Sequence, residues 1–249
     1  MHYQINPAYQ NLKDKILEVP KLFENQGQVI QEGRNLIKVI DLEGLRINVK
    51  SFKKPNIINR FAYRYLRDSK AKRSFLYATK LLHLGVSTPA PLAYIEFYEY
   101  GGLSRSYYIS IQEDCDYTYR ELLGRKIEEI SNVLEEFTRF TYNFHKNGVY
   151  FIDHSPGNTL IKEQISGFKF FLVDLNRTKF KPVDLNLGIK NFHRLGANEA
   201  MVRVMAKEYA RLRSADEDYV TAKMLKMTLQ HNEAVRKRKA KKQKLKKGK

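Results

Sequence analysis

The chain has 249 residues, 43% of them hydrophobic and 12% aromatic, which is enough apolar material for one good core or two small lobes and excludes a disordered polymer. A single cysteine, Cys115, excludes an internal disulfide and any cysteine-cluster metal site, and it suits a reducing cytoplasm. The formal net charge is +18, but ten of the Lys and Arg residues lie within 236–249, so the rest of the chain carries only +8.

In chain order, the first seven residues, Met1-His-Tyr-Gln-Ile-Asn-Pro7, lack a charged-then-apolar signal pattern, and no window approaches about 18 uninterrupted apolar residues. Neither export nor a membrane span is expected. Residues 35–40 and 45–52 alternate and are β-branched, and they flank the Gly-containing turn 41–44, so they predict a hairpin. Within its second strand Ile47, Val49 and Ser51 share one face, and Asn48, Lys50 and Phe52 the other. Lys50 therefore points away from the more apolar face. Residues 69–84 predict a basic helix, 92–98 and 106–111 two strands, and 112–116 a connecting segment. Residues 120–123 and 128–147 are expected to be helical. In the longer stretch Ile130, Val133, Leu134, Phe137, Phe140, Thr141 and Phe144 form a broad apolar stripe that belongs to a core.

The run Phe151-Ile152-Asp153-His154-Ser155-Pro156-Gly157-Asn158 follows. Pro156 and Gly157 make it a turn, which can direct Asp153 and Asn158 toward one point although they are five positions apart. Residues 159–161 and 168–173 read as two short apolar strands around the turn 163–167, placing Asn158 before one strand and Asp174 after the other. Phosphoryl transfer needs this set: a carboxylate to orient the attacking hydroxyl, for which Asp153 is the candidate, and hard oxygen ligands for magnesium, for which Asn158 and Asp174 are the candidates. The spacing matches that of kinase-like folds, with Lys50 upstream to reach nucleotide phosphates. Helices over about 187–194, 199–210 and 217–235 complete the reading. The last 14 residues, with almost no apolar content, are expected to be disordered or loosely helical.

Val49-Lys50-Ser51-Phe52-Lys53-Lys54-Pro55, Ser69-Lys70-Ala71-Lys72-Arg73-Ser74, Leu84-Gly85-Val86-Ser87-Thr88-Pro89-Ala90-Pro91, the loop from Asp153 to Asn158, and Asp174-Leu175-Asn176-Arg177 together resemble the bacterial lipopolysaccharide core kinases. These are the Kdo and heptose kinases of the inner core, distant relatives of protein kinases and of small-molecule phosphotransferases. The likeness runs from about residue 35 to about residue 213, and its most specific pieces are the Gly-Val-Ser-Thr-Pro segment and the Asp153 loop. It implies an α+β, two-lobed protein-kinase-like fold: a mainly β N-lobe with one helix over 1–111, a hinge over 112–116, an α-helical C-lobe over 117–235 and a basic tail over 236–249. It also implies ATP and Mg2+ as cofactors and a sugar hydroxyl of a lipid-anchored inner-core saccharide as acceptor. By matching position, Lys50 pairs with nucleotide phosphates, Asp153 is the base, Asn158 and Asp174 hold metal, and the hinge backbone around Glu113 and Cys115 meets adenine. Arg177 and His154 are the candidates for contact with the acceptor.

The departures from the family pattern are specific. There is no G-x-G-x-x-G loop, since Gly33 and Gly44 are the only glycines between Gly27 and Gly85. Phe151-Ile152 replaces the usual His-Arg before the aspartate, and Leu175-Asn176 replaces Phe-Gly after Asp174, removing a flexible glycine. The segment 69–84 contains no acidic residue to pair with Lys50, which loses orientation unless a carboxylate such as Glu96 or Glu99 substitutes. The basic tail is expected to attract an anionic membrane surface, placing the chain in the cytoplasm and peripherally on the inner membrane, at about 1 kcal/mol per basic residue. Nucleic acid would attract it too. The alternatives are accordingly a catalytically silent kinase-like protein that binds nucleic acid or membrane, and a phosphotransferase acting on a soluble small molecule.

Overall fold

The computed structural model describes residues 1–33, 35–56, 63 and 67–247. The chain divides into two compact units, one of 1–114 with 174–176 and one of 115–173 with 177–249.

The first unit is built on strands β1 (His2–Ile5), β2 (Gln28–Gln31), β3 (Asn35–Leu42), β4 (Leu45–Phe52), β5 (Pro91–Glu99) and β6 (Gly102–Ile111), with helices α1 (Lys13–Asn25) and α2 (Lys70–His83). The sheet runs β1-β5-β6-β4-β3-β2, and its neighbouring strands pair antiparallel. The alternation anticipated for β4 decides its two faces. Ile47 and Val49 join Ile40, Ala93, Ile95, Tyr107 and Ile109 in a core closed by Ile16, Val19 and Phe23 of α1. Phe52 lies on the other face with Tyr94, against Ala71 and Phe75 of α2. Helix α1 corrects the expectation of one helix in this unit: it presents Ile16, Val19, Pro20 and Phe23 on one buried face, a helical period interrupted by a proline that discourages the assignment from sequence. Helix α2 begins where Ser69 caps it, its side chain accepting from the Lys72 N–H at 3.0 Å.

The second unit contains β7 (Tyr117–Thr118), α3 (Ile127–Lys146), β8 (Val149–Tyr150), β9 (Thr159–Gln164), β10 (Gly167–Leu172), β11 (Lys179–Phe180), α4 (Leu185–Asn191), α5 (Glu199–Arg213) and α6 (Glu217–Lys247). The expected hairpin is β9 with β10, Phe170 facing Ile161 in register. The α3 stripe is buried as anticipated and packs with Met201, Met205 and Tyr209 of α5 and Val220 and Met224 of α6. Each large side chain so buried is worth about 1.5–3 kcal/mol.

Of the two states expected for the basic residues after 235, disordered or loosely helical, α6 shows the helical one. The helix runs on through Lys247. Val220, Met224 and Thr228, spaced by four, are buried and supply a nucleus, and the Lys, Arg, Ala, Gln and Leu residues that follow are good helix formers with no Pro or Gly before Gly248. Like-charge pairs at i,i+4 oppose this by only about 0.2–0.5 kcal/mol each.

Candidate active site

Lys50 sits on β4, between β3 and β6, opposite Ile37 and Tyr108. Its ammonium lies 5.4 Å from the Phe52 ring centroid and 2.8 Å from Asp174 Oδ1. The Lys50 side chain is only 12% exposed. Asn176 Nδ2 donates to the same Asp174 oxygen at 2.8 Å. Asp174 itself has φ +61, in the left-handed region, and starts the 3-10 turn Leu175–Arg177. Holding a non-glycine residue there costs about 1–2 kcal/mol, which the two hydrogen bonds to its carboxylate offset.

The acid missing from α2 is not replaced by either carboxylate named from sequence. Glu96 is buried and its Oε2 accepts from the Tyr98 hydroxyl at 2.9 Å, while Glu99 is exposed on its strand end. Lys50 takes its orientation from Asp174. In the connecting segment, Gln112 is fixed by its N–H to the Arg46 carbonyl at 2.9 Å and by Asn48 Nδ2 to its Oε1 at 2.8 Å. Its own Nε2 donates to the Glu113 carbonyl at 3.0 Å, and Asp114 pairs with Arg46 Nη1 at 2.8 Å. Glu113 belongs to the first unit and Cys115, partly exposed, to the second.

The second unit holds the Asp153 loop. Its side chain is 12% exposed, and its Oδ1 accepts from Arg194 Nη1 at 2.8 Å and Arg177 Nη1 at 3.1 Å. Three successive carbonyls of the loop each accept from a side chain: Phe151 from Asn191 Nδ2 at 2.8 Å, Ile152 from Arg194 Nη1 at 2.9 Å, and Asp153 from Asn158 Nδ2 at 2.8 Å. The backbone under Asp153 is thereby fixed from three directions. Because the Asn158 amide nitrogen is committed to the Asp153 carbonyl, its Oδ1 is the atom left to meet a cation. The Asn158 carbonyl accepts from the Val173 N–H at 3.0 Å, tying the loop to the residue before Asp174.

His154 does not contact an acceptor, which corrects the sequence reading. Its ring is fully buried among Phe137, Phe144, Phe151 and Phe192, at centroid distances of 5.3, 5.6, 5.8 and 6.1 Å. It lies against the Asn191 backbone without a well-formed hydrogen bond at either ring nitrogen. Burial, reinforced by the neighbouring His145, pushes it down to about 3, so it is neutral and packs as an aromatic ring. Arg177 lies against Asp153 and is half-exposed.

Arg194, Asn191 and Asn176 were not singled out from the sequence. Arg194 and Asn191 lie in a segment read only as helix, and neither sits at a fixed offset from Asp153. Asn176 was quoted within the Asp174 motif, and an asparagine two residues after an aspartate is a common local hydrogen-bonding partner. That short-range signal could have found it.

The oxygen donors available suit a magnesium–nucleotide site better than a protein cage. Among the described residues no group of three His, Cys, Asp or Glu side chains clusters as a metal site. Mg2+ bound through one or two protein oxygens, its waters and substrate phosphates requires no such cluster, and the Asp174 carboxylate and the Asn158 amide oxygen are each donors of the kind it takes.

No family model matches the chain, and no curated protein matches it by sequence. Among solved structures it is similar to WaaP in complex with acyl carrier protein, at 17% identity and TM-score 0.60, over 93% of this chain and 99% of that one. It is also matched to a kinase-domain variant of Mycobacterium tuberculosis PknI, at 12% identity and TM-score 0.43, over 76% of this chain and 75% of that one. The β-rich first unit and helical second unit are those of a protein-kinase-like fold.

Proposed function

We propose that the chain is an ATP-dependent kinase that phosphorylates a sugar hydroxyl, of Kdo or heptose, on the lipopolysaccharide inner core. The observation that carries this reading is the ion pair between Lys50 and Asp174, 124 residues apart and 2.8 Å from nitrogen to oxygen. It joins the strand lysine to the proposed metal-binding carboxylate in the order that kinases use. A strand lysine largely withdrawn from solvent and held to an aspartate of a distant segment supports a shared task.

In this reading each named residue has its own task in phosphoryl transfer. Asp153 accepts a hydrogen bond from the acceptor hydroxyl on the carboxylate oxygen that Arg177 and Arg194 leave free. The hydroxyl oxygen forms the new bond to the γ-phosphorus, the bond from that phosphorus to the bridging oxygen breaks, and ADP departs. The acceptor proton passes to Asp153. The transition state is loose and the proton leaves late, so little basicity is required of Asp153. What Asp153 must supply is direction, and the three anchored carbonyls beneath it provide that. Lys50 would neutralise nucleotide phosphate charge, and Asp174 and Asn158 are each proposed as an oxygen ligand for magnesium, which would offset charge on the phosphates when bound.

The missing helix acid leaves a catalytically silent protein as an alternative. The Lys50–Asp174 pair supports activity instead, because it restores orientation from another carboxylate. Among the described residues no helix is long and apolar enough to cross a membrane. The cationic half of α6 is proposed to hold the enzyme at an anionic membrane surface where its acceptor is anchored. Mass spectrometry of the core saccharide from cells with and without the gene tests the reading. A phosphate lost with the gene supports it and names the acceptor sugar, and an unchanged saccharide contradicts it.

A further inference from the structure

Behind the Asp153 loop, three helices contribute a buried chain of polar groups. Tyr209 Oη on α5 lies 2.9 Å from His145 Nδ1 on α3, His145 Nε2 lies 2.9 Å from Asn191 Oδ1 on α4, and Asn191 Nδ2 donates to the Phe151 carbonyl at 2.8 Å. The direction of every bond follows from its end. A carbonyl only accepts, so the Asn191 amide nitrogen faces Phe151 and its oxygen faces His145. His145 must then carry its proton on Nε2, which leaves a bare lone pair on Nδ1 for which Tyr209 is the donor. Tyr209 is buried, and burial pushes its hydroxyl up, so it stays a donor. The other charged or titratable groups influencing the His145 ring are Arg213 at the end of α5 and His154 in the loop.

Gly188 fits the same chain. It lies within α4, where glycine costs about 1 kcal/mol relative to alanine, and its backbone does not need positive φ. A Cβ there would stand 1.9 Å from Tyr209 Oη. The residue is small because the hydroxyl must pass it to reach His145.

We propose that Tyr209 is a positioning residue for the base, fixing the His145 tautomer so that Asn191 holds the Phe151 carbonyl and, two residues on, the carboxylate of Asp153. It rests on the kinase reading of Asp153. Without the Tyr209 hydroxyl, His145 is free to carry its proton on Nδ1 and turn a lone pair toward Asn191 Oδ1. Two acceptors then face each other, and the amide turns away from Phe151.

Nitrogen NMR of histidine-labelled protein and phosphate-transfer kinetics test this together, on the full chain with and without Tyr209→Phe. The wild type should show His145 as one neutral tautomer with the proton on Nε2. Tyr209→Phe should show both tautomers and a kcat lower by about tenfold or more, with KM for ATP within about twofold. Gly188→Ala, which displaces the hydroxyl without removing it, should reproduce the tautomer mixture. A single Nε2–H tautomer in Tyr209→Phe, or an unchanged kcat with mixed tautomers, overturns the proposal. A wild-type chain that binds ATP and transfers no phosphate to any acceptor sinks the kinase reading, and the proposal with it, whatever the tautomers show.

Discussion

Lys50 Nζ and Asp174 Oδ1 are 2.8 Å apart, so the lysine that a helix glutamate would ordinarily orient is oriented by the carboxylate proposed to hold metal. One carboxylate does two jobs. Replacing Lys50 by Met should lower kcat/KM by about a hundredfold or more, in the range measured for lost electrostatic groups, and raise KM for ATP. Steady-state kinetics over a range of ATP concentrations check this, and wild-type parameters in the variant contradict it.

Arg194 Nη1 bridges the Ile152 carbonyl and Asp153 Oδ1, at 2.9 and 2.8 Å. Arg194→Met should therefore free both the backbone and the carboxylate. The expected result is a kcat lower by about tenfold to a hundredfold with little change in KM for ATP, because the defect is one of aim. Arg194→Lys should recover little, since one ammonium does not reproduce the fork. Full activity in Arg194→Met would falsify the anchoring role.

Two buried histidines should make stability depend on pH. Burial pushes His145 down to about 4 and His154 down to about 3. The unfolded chain takes up these protons below about 6.5, the folded chain only at the lower values, so the unfolded state gains protons first. The contribution to stability is fully present above about 6.5 and is lost as pH falls from there toward 4 and 3. Each ring accounts for about 1.4 kcal/mol per pH unit within that window. Urea midpoints at pH 7 and pH 5 check the prediction, with His154→Phe flattening the dependence. Equal midpoints for the native chain at the two values contradict it.

Removal of 236–249 takes away ten basic residues and leaves the buried positions Val220, Met224 and Thr228 of α6 in place. The truncated chain should stay folded and bind vesicles containing phosphatidylserine more weakly, with the difference shrinking as salt rises. Sedimentation with vesicles at low and high salt measures it. Unchanged vesicle binding together with lost RNA binding would favour the nucleic-acid reading of this helix.

What the sequence made legible followed short-range rules. The period-two alternation of β4 placed Lys50 on its face, the Pro-Gly turn brought Asp153 and Asn158 together, and the α3 stripe defined a core. What it hid was set by contacts between distant segments. Nothing near Arg194 or Asn191 in sequence reveals that their side chains reach the carbonyls of Ile152 and Phe151, about 40 positions away. His154 misleads because a histidine beside the proposed base looks functional, whereas four phenylalanine rings enclose it. The basic end of α6 was left open between disorder and loose helix because like charges oppose order, while helix propensity and a packed first half carry the helix through them.

Transfer of labelled γ-phosphate from ATP to purified inner-core lipopolysaccharide, comparing the native chain with Asp153→Ala, tests the account most directly. The account predicts labelled acceptor with the native chain and only background with the variant, their circular dichroism spectra being the same. Equal labelling by the two proteins, or none by the native chain, would contradict it.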